Sequence, residues 1–243
     1  MQFTAGIPVI EPYLMPLRRE LPKNAAPWSP NPSRAVLLVH DMQRFFVRRF
    51  PVPEPRGELL LHCGLLRSCA ASFGIPVAYS AQPGGMTRDQ RGLLHDFWGP
   101  GMTADPLDRK VVDPLAPMPG NEVFTKSRYS AFAGTGLLDS MREQGKDQLI
   151  ICGVYAHVGI LATALDALTH DIETFVVADA VADFSREFHL LALNYAAGRC
   201  AAVLPAGELL AQLHESSRAT RRGTATASAD LPVGTGDSHV QKN

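Results

Sequence analysis

Two oppositely charged residues each stand directly after a predicted strand: Asp41 follows the apolar run at 35–40, and Lys126 follows a short edge or inner strand at 122–125. A carboxyl group desolvated by apolar walls has a raised pKa, and a neighbouring ammonium lowers it again, so such a pair can tune a proton donor near working pH. Alone, Asp41 is as typical of a helix cap and Lys126 of a solvated cation. Together the two predict a general acid that needs no covalent partner.

A third strand ends in the stretch ICGVYAHVGILATA, residues 151–164, which reads as a buried strand, a tight turn and a helix. In α/β hydrolases such a turn commonly carries the nucleophile. Here it carries Tyr155 and Gly159, with neither Ser nor Cys where the helix begins. Tyr155 alone is also typical of a packed core aromatic with a satisfied hydroxyl. The turn predicts a site without a nucleophile.

Two other interpretations stay open at this point. Cys152 is the thiol nearest the turn, and a cysteine-type amidase would need it to be displaced from a strand where a neutral packed thiol is expected. A catalytically silent scaffold is the second alternative, because fold alone never implies activity.

A long connection between Ala81 and Phe124 is rich in glycine and proline, and its length favours a lid or binding loop. It begins with Gln82 just beyond the strand end at 80, and it contains Arg91 and Trp98, a candidate anion clamp and a candidate lid residue. An arginine in a polar helix is, however, most often a surface residue.

Alternating elements must position these residues. Strands are predicted at 35–40, 76–80, 122–125, 148–154, 174–178 and 201–204, with helices at 59–73, 137–144, 158–170 and 186–198. This alternation predicts an α/β fold in three layers, a parallel β-sheet flanked by helices on both faces, with ligands at the carboxyl ends of the strands. Residues 1–33 are predicted to form a proline-rich extended arm, 34–214 the domain, and 215–243 a disordered tail.

Composition excludes several classes of function. The 243 residues carry a net charge of −1, which gives no electrostatic case for a nucleic-acid or membrane partner. No signal-peptide pattern or apolar run of about 20 residues occurs, so a cytoplasmic location is expected. The 4 cysteines form no CxxC pair, which favours reduced, buried thiols over a disulfide framework or a zinc site.

Five motifs, in this order, carry a resemblance to a known family: VLLVHDMQRFF, AQPGGMTRDQRGLLHDFWGPGM, KSRYSAF, GVYAHVGI and VADAVADFS. From about Ile7 to Leu210 the chain resembles the isochorismatase-like hydrolases, a family with a Rossmann-like fold. The resemblance implies that Asp41 is the general acid, that Lys126 is its charged partner, and that Gly159 takes the position of the cysteine in related hydrolases, near the developing charge. It also implies a substrate-lining set made up of Gln82, Arg91, Trp98, Tyr129 and Tyr155.

The same resemblance implies the reaction. It is hydrolysis of the enolpyruvyl vinyl ether of isochorismate or 2-amino-2-deoxyisochorismate to pyruvate and a dihydro ring product, and the likeness of the loops favours the amino substrate of phenazine-type pathways. No cofactor or metal is expected, and a homodimer is. Ser127 stands where the family motif has a tryptophan, which predicts an altered pocket wall or dimer contact. Gly159 is interpreted as leaving room for the substrate.

Overall fold

A computed structural model of the protein describes residues 6–229. Six parallel strands form one sheet in the order β3-β2-β1-β4-β5-β6. The strands are β1 (Ala35–His40), β2 (Val77–Ala81), β3 (Glu122–Thr125), β4 (Gln148–Val154), β5 (Glu173–Ala182) and β6 (Ala202–Leu204). The predicted α/β class is confirmed, and β5 is longer than its apolar run indicated.

Nine α-helices accompany the sheet within the described residues: α1 (Arg44–Val47), α2 (Arg56–Phe73), α3 (Arg88–Arg91), α4 (Leu94–Trp98), α5 (Pro106–Arg109), α6 (Leu137–Glu143), α7 (Leu161–Thr169), α8 (Arg186–Arg199) and α9 (Ala206–Ala229). The long connection before β3 thus holds three short helices, α3 to α5. Within residues 6–229, every helix is too short or too polar to cross a membrane.

Each face of the sheet is covered by its own apolar core. Along β1, Leu37 and Val39 contribute to a core shared with α2 and α9, whereas Val36 and Leu38 contribute to one shared with α6, α7 and α8. Both sets are buried because successive side chains of a strand point to opposite faces. This explains why β1 is a continuous apolar run.

The order of the strands decides where a ligand can bind. β1 pairs with β2 on one side and with β4 on the other, so the chain direction across the sheet reverses at β1. In doubly wound sheets the crevice lies outside the carboxyl ends of the strands at this switch point. The predicted site residues Asp41 and Tyr155 follow β1 and β4 directly.

Both ends of the described chain contribute side chains to the core: Ile10 and Met15 come from the arm, and Leu209 and Leu213 from α9. Residues 7–34 contain a 3₁₀ turn, Arg18–Glu20, and otherwise extended or irregular backbone. α9 continues through residues 215–229, where the sequence indicated disorder. The buried side chains of Leu209 and Leu213 fix its first turns, and further residues then add to the helix at little cost. The rest of the predicted tail, 230–243, lies outside the described residues.

Candidate active site

An ion pair joins the residues that follow β1 and β3, across the end of β2, which lies between them. Asp41 follows β1, Ser80 lies in β2 and Lys126 follows β3. Lys126 Nζ lies 2.8 Å from Asp41 Oδ2, and Ser80 Oγ donates a 2.6 Å hydrogen bond to Asp41 Oδ1. Asp41 and Lys126 are 5% and 2% exposed, so water hardly competes for either charge. The predicted convergence of the two residues therefore occurs.

The ammonium of Lys126 has no free donor. Besides Asp41, it donates to the carbonyl oxygens of Arg128 (3.1 Å) and Tyr129 (3.2 Å), which uses all three N–H bonds. Lys126 therefore acts on Asp41 and does not offer a spare hydrogen bond to a ligand.

The charge balance of the pair differs from the sequence-based expectation of a donor tuned near working pH. Burial raises the pKa of Asp41, but the charge of Lys126, with hydrogen bonds from Lys126 and Ser80, outweighs burial, and the net pKa lies below its ordinary value. In the free protein Asp41 is a carboxylate at neutral pH.

The turn after β4 begins with Tyr155 and continues as a π-helical turn, Ala156–Ile160, so α7 starts three residues later than predicted. The Tyr155 hydroxyl donates to the carbonyl oxygen of Phe46 at 3.2 Å, and its ring is buried. Tyr155 therefore offers a ligand its ring and not its hydroxyl.

Gly159 is not open toward a ligand in the way the sequence indicated. A Cβ atom added at Gly159 would lie 2.5 Å from Cε1 of His40, which is itself buried. The space that a side chain would take is filled by the His40 ring, so the interpretation of Gly159 as room for substrate was wrong.

One cavity of about 440 Å³ lies outside these strand ends. All eight predicted site residues line it: Asp41, Gln82, Arg91, Trp98, Lys126, Tyr129, Tyr155 and Gly159. Apolar side chains of α1, including Phe45 and Phe46, and Phe184 complete the wall. The cavity combines an apolar lining with a few convergent polar groups, as small-molecule sites do.

Arg91 is a buried cation without a counter-charge. Its residue is 5% exposed, and its guanidinium donates to the carbonyl oxygen of Gly99 (3.1 Å) and to Gln82 Oε1 (3.3 Å). Among the described residues, no carboxylate lies within 4.0 Å of it. Burial lowers the pKa of Arg91, but an arginine stays charged. An anionic ligand group in the cavity would supply the missing charge.

Trp98 closes the cavity from α4. Its indole Nε1 donates to the hydroxyl of Tyr129 at 2.7 Å, and its ring lies 5.7 Å from that of Phe184. This contact joins the long connection before β3, which the sequence indicated to be a lid or binding loop, to the KSRYSAF motif that begins at Lys126.

A hydrogen-bonded network outside the cavity holds the elbow. Asp183 is fully buried and accepts from the backbone N–H of His157 and from its Nδ1, both at 2.6 Å. The backbone N–H of Asp183 donates to the hydroxyl of Tyr13 at 2.9 Å. The amino-terminal arm is thereby tied to the turn that follows β4.

Several residues at the site were missed from the sequence. They are Ile7 of the arm, His40, Ser80, Phe184, and the charged group Arg48, Arg49 and Asp108, in which Arg48 pairs with Asp108 at 2.6 Å. The motif QRFFVRRF, which follows Asp41 by two residues, was the available signal for the arginines. Ser80 and His40 lie within strand runs and carried no separate signal.

The cysteines are distant from this chemistry. Cys63, Cys152 and Cys200 are buried free thiols and Cys69 is half-buried; none lines the cavity described above. The thiol alternative based on Cys152 therefore has no geometric support. Within residues 6–229, no group of three or more His, Cys, Asp or Glu side chains is arranged to hold a metal ion.

The parallel three-layer fold, with an Asp–Lys pair at the carboxyl ends of its strands, is that of an α/β hydrolase. The family model for the isochorismatase domain matches residues 35–208. The chain belongs to the isochorismatase family.

Curated relatives agree over most of the chain. A probable isochorismatase of Pseudomonas chlororaphis is 56% identical over 84% of this chain and 99% of its own length. The phenazine biosynthesis protein PhzD of Pseudomonas fluorescens is 55% identical over 84% and 99%. The isochorismatase of Bacillus subtilis is 50% identical over 87% of this chain and 68% of its own length.

Solved structures are similar in fold at low sequence identity. A cysteine hydrolase of Pseudomonas syringae superposes with a TM-score of 0.71 at 20% identity, over 80% of this chain and 98% of its own. The nicotinamidase of Bacillus subtilis gives 0.62 at 22% identity, over 70% and 99%. These two likenesses concern the fold alone.

Proposed function

We propose that the protein hydrolyses the enolpyruvyl ether of 2-amino-2-deoxyisochorismate, with isochorismate as the second substrate of the same chemistry, in secondary metabolism. The observation that carries the proposal is the Asp41 carboxyl, which is held by Lys126 and Ser80 in a cavity with a buried, uncompensated Arg91. The family and the names of the Pseudomonas relatives support the same reaction.

The negative charge of the bound substrate raises the low pKa of Asp41. A vinyl ether hydrolyses when its terminal methylene carbon is protonated, so Asp41 must carry a proton when the ligand is bound. Each of these substrates brings two carboxylates into the cavity and excludes water from it, and both effects raise the pKa of a nearby carboxyl group. Binding is therefore coupled to the uptake of a proton by Asp41.

The reaction then balances without a covalent intermediate. Asp41 transfers its proton to the methylene carbon, which leaves an oxocarbenium ion. Water adds to the cationic carbon and returns a proton to the Asp41 carboxylate. The hemiketal collapses, the bond to the ring oxygen breaks, and pyruvate and the dihydro ring alcohol are released. Lys126 and Ser80 hold the carboxyl group in one orientation throughout.

Arg91 is the group proposed to hold a substrate carboxylate. Its guanidinium lines the cavity and is already fixed by Gly99 and Gln82, so little side-chain entropy is lost on binding. Trp98 and Tyr129 form the cover over the ring, and Tyr155 contributes an apolar wall. The proposed role of Gly159 is to present its backbone to the reacting group from the turn after β4, where it lines the cavity.

A coupled assay tests the proposal. Lactate dehydrogenase and NADH report pyruvate released from 2-amino-2-deoxyisochorismate and from isochorismate in parallel reactions, with boiled protein as the control. Turnover of both, with a higher kcat/KM for the amino substrate, is expected. Pyruvate release from neither would contradict the proposal and favour a silent scaffold. Preference for isochorismate would contradict the choice of substrate alone.

The assembly that we propose is a homodimer. Its support is the family resemblance, which implies a homodimer; Ala131 and Phe132 of the KSRYSAF motif are buried within the chain's own core and add no support. Multi-angle light scattering at micromolar concentration is expected to give twice the chain mass of 26.3 kDa. A mass near that of one chain would contradict the proposal.

A further inference from the structure

The glycine at the elbow is not required by its backbone. Gly159 has no positive φ, in contrast to Gly153 at φ 121°, so any L-residue could adopt its conformation. What excludes a side chain is space: an added Cβ would lie 2.5 Å from Cε1 and 3.1 Å from Nε2 of His40, and 3.3 Å from the carbonyl oxygen of Tyr129. The His40 ring, which extends from the end of β1, therefore determines which residue the elbow accepts.

The ring of His40 is fixed from two sides. It is fully buried, and burial lowers its pKa to about 4, so it is neutral at pH 7. Its Nδ1 lies 2.9 Å from the carbonyl oxygen of Val154, which can only accept, so Nδ1 carries the proton. Nε2 contacts Thr163 Oγ1 at 3.3 Å. The ring cannot move aside for a Cβ without losing a buried hydrogen bond.

The bond between His40 and Val154 joins the two strand ends that flank the switch point. His40 is the last residue of β1 and is followed by Asp41, whereas Val154 ends β4 and is followed by Tyr155. A shift of either strand end would move the carboxyl group relative to the turn. A displacement of reacting groups by about 1 Å lowers the rate of the reaction strongly.

We infer that His40 is a positioning residue. Its ring fills the side-chain space at the elbow, so that only glycine fits at position 159, and it fixes the end of β1, with Asp41, against the end of β4. A thiol at position 159 could not be accommodated unless this ring left. With His40 in place, the turn after β4 has no space for a nucleophilic side chain, and Asp41 supplies the acid.

A thermal double-mutant cycle tests the steric half of the inference. Gly159→Ala is expected to lower Tm by roughly 3–10 °C, because overpacking a core by one methyl is destabilising in a domain of this size. The matched control is Gly64→Ala, at a helical glycine whose added Cβ would meet nothing within 4 Å. That control is expected to leave Tm unchanged or to raise it. A Gly159→Ala protein with the Tm of wild type would overturn the inference.

His40→Asn completes the cycle. The amide Nδ2 replaces Nδ1 as the donor to Val154, while Cε1 and Nε2 are removed. In this background Gly159→Ala is expected to cause no further loss of Tm. Equal losses in both backgrounds would overturn the inference, because the two positions would then be independent.

The positioning half, which rests on the proposed reaction, is tested by pyruvate release. His40→Ala is expected to lower kcat by roughly 10²-fold with little change in KM, and His40→Asn to recover most of kcat because it restores the bond to Val154. Wild-type kcat in His40→Ala, or equal kcat in both variants, would refute positioning. A wild-type protein that releases no pyruvate would contradict the proposed reaction, and the thermal cycle would still decide the steric half.

Discussion

Replacing Asp41 by asparagine isolates the proton that the proposed mechanism needs. The amide has almost the same shape as the carboxyl group but does not deliver a proton to carbon. Its oxygen can still accept from Lys126, and the Ser80 hydroxyl, now 2.6 Å from Asp41 Oδ1, can rotate to accept from the amide nitrogen. We expect the cavity to keep its form and kcat to fall by at least about 10²–10⁴-fold.

The same substitution has a cost for stability that follows from burial. Lys126 is 2% exposed and has Asp41 as its carboxylate partner at 2.8 Å. Breaking a buried pair by removing one charge costs about 3–5 kcal/mol, because the remaining charge stays desolvated. The free energy of unfolding should drop by about this amount, and circular dichroism at the assay temperature must show that the variant is folded.

A double variant separates chemistry from stability. Asp41→Asn combined with Lys126→Met removes both charges, so most of the lost stability should return, since uncharged replacements of a buried pair are often neutral. Activity should not return, because no proton donor has been restored. If the double variant regained activity together with Tm, the loss in Asp41→Asn would be a folding defect.

The deciding measurement is pyruvate release under saturating substrate, with substrate binding followed separately by titration calorimetry. Binding with an affinity within about tenfold of wild type, together with lost turnover, is expected, since the anion contact at Arg91 is unchanged. An Asp41→Asn protein that is folded, binds substrate and keeps near-native kcat would refute general-acid catalysis by Asp41.

Three further predictions follow from the charges at the site and in the core. Because the pKa of Asp41 lies below its ordinary value, log kcat/KM should fall by about one unit per pH unit between roughly pH 5.5 and 7.5, and a flat profile would contradict the need for proton uptake by Asp41. Arg91→Gln should raise KM by roughly 10–100-fold, as expected for the loss of a charged hydrogen bond. The control Arg88→Gln, on the exposed side of α3, should leave KM unchanged. Equal KM values in the two variants would show that Arg91 does not bind the substrate. Burial lowers the pKa of His40 and His189 to about 4 each. Below pH 6.5 these two residues therefore bind protons in the unfolded chain but not in the folded one, which favours unfolding. Urea unfolding should therefore show about 3 kcal/mol lost per histidine between pH 7 and 4, and a level stability would contradict neutral buried rings.

The strands and the convergence of the site were predictable because both depend on local signals. The predicted bounds of β1, β3 and β4 match the structure, and all residues of β1 and β4 are buried. Strands covered on both faces read as continuous apolar runs. Residues that directly follow parallel strands meet at one edge of the sheet, which predicts that Asp41 after β1 and Lys126 after β3 approach each other, although β3 is a short and mostly exposed edge strand.

The supporting residues were not predictable because their roles depend on neighbours that are distant in the sequence. His40 reads as the last residue of a strand, and nothing near it indicates that its ring fills a space at Gly159. The pKa of Asp41 was misjudged for a similar reason. The sequence indicated that Lys126 would be near, but not that Ser80 would donate at 2.6 Å and that burial would be outweighed.

The elbow after β4 is the place where these two kinds of information meet. Its sequence shows that a nucleophile is absent, yet only the packing shows what replaces it. With His40 in the side-chain space, the backbone at Gly159 still lines the cavity, and the proposed acid is the carboxyl of Asp41, one residue after His40. An enolpyruvyl ether offers no amide carbonyl to a thiol, but it does offer a carbon that a carboxylic acid can protonate. A ring that excludes the thiol therefore removes nothing that this reaction needs, and by fixing β1 against β4 it holds the one group that the reaction does need.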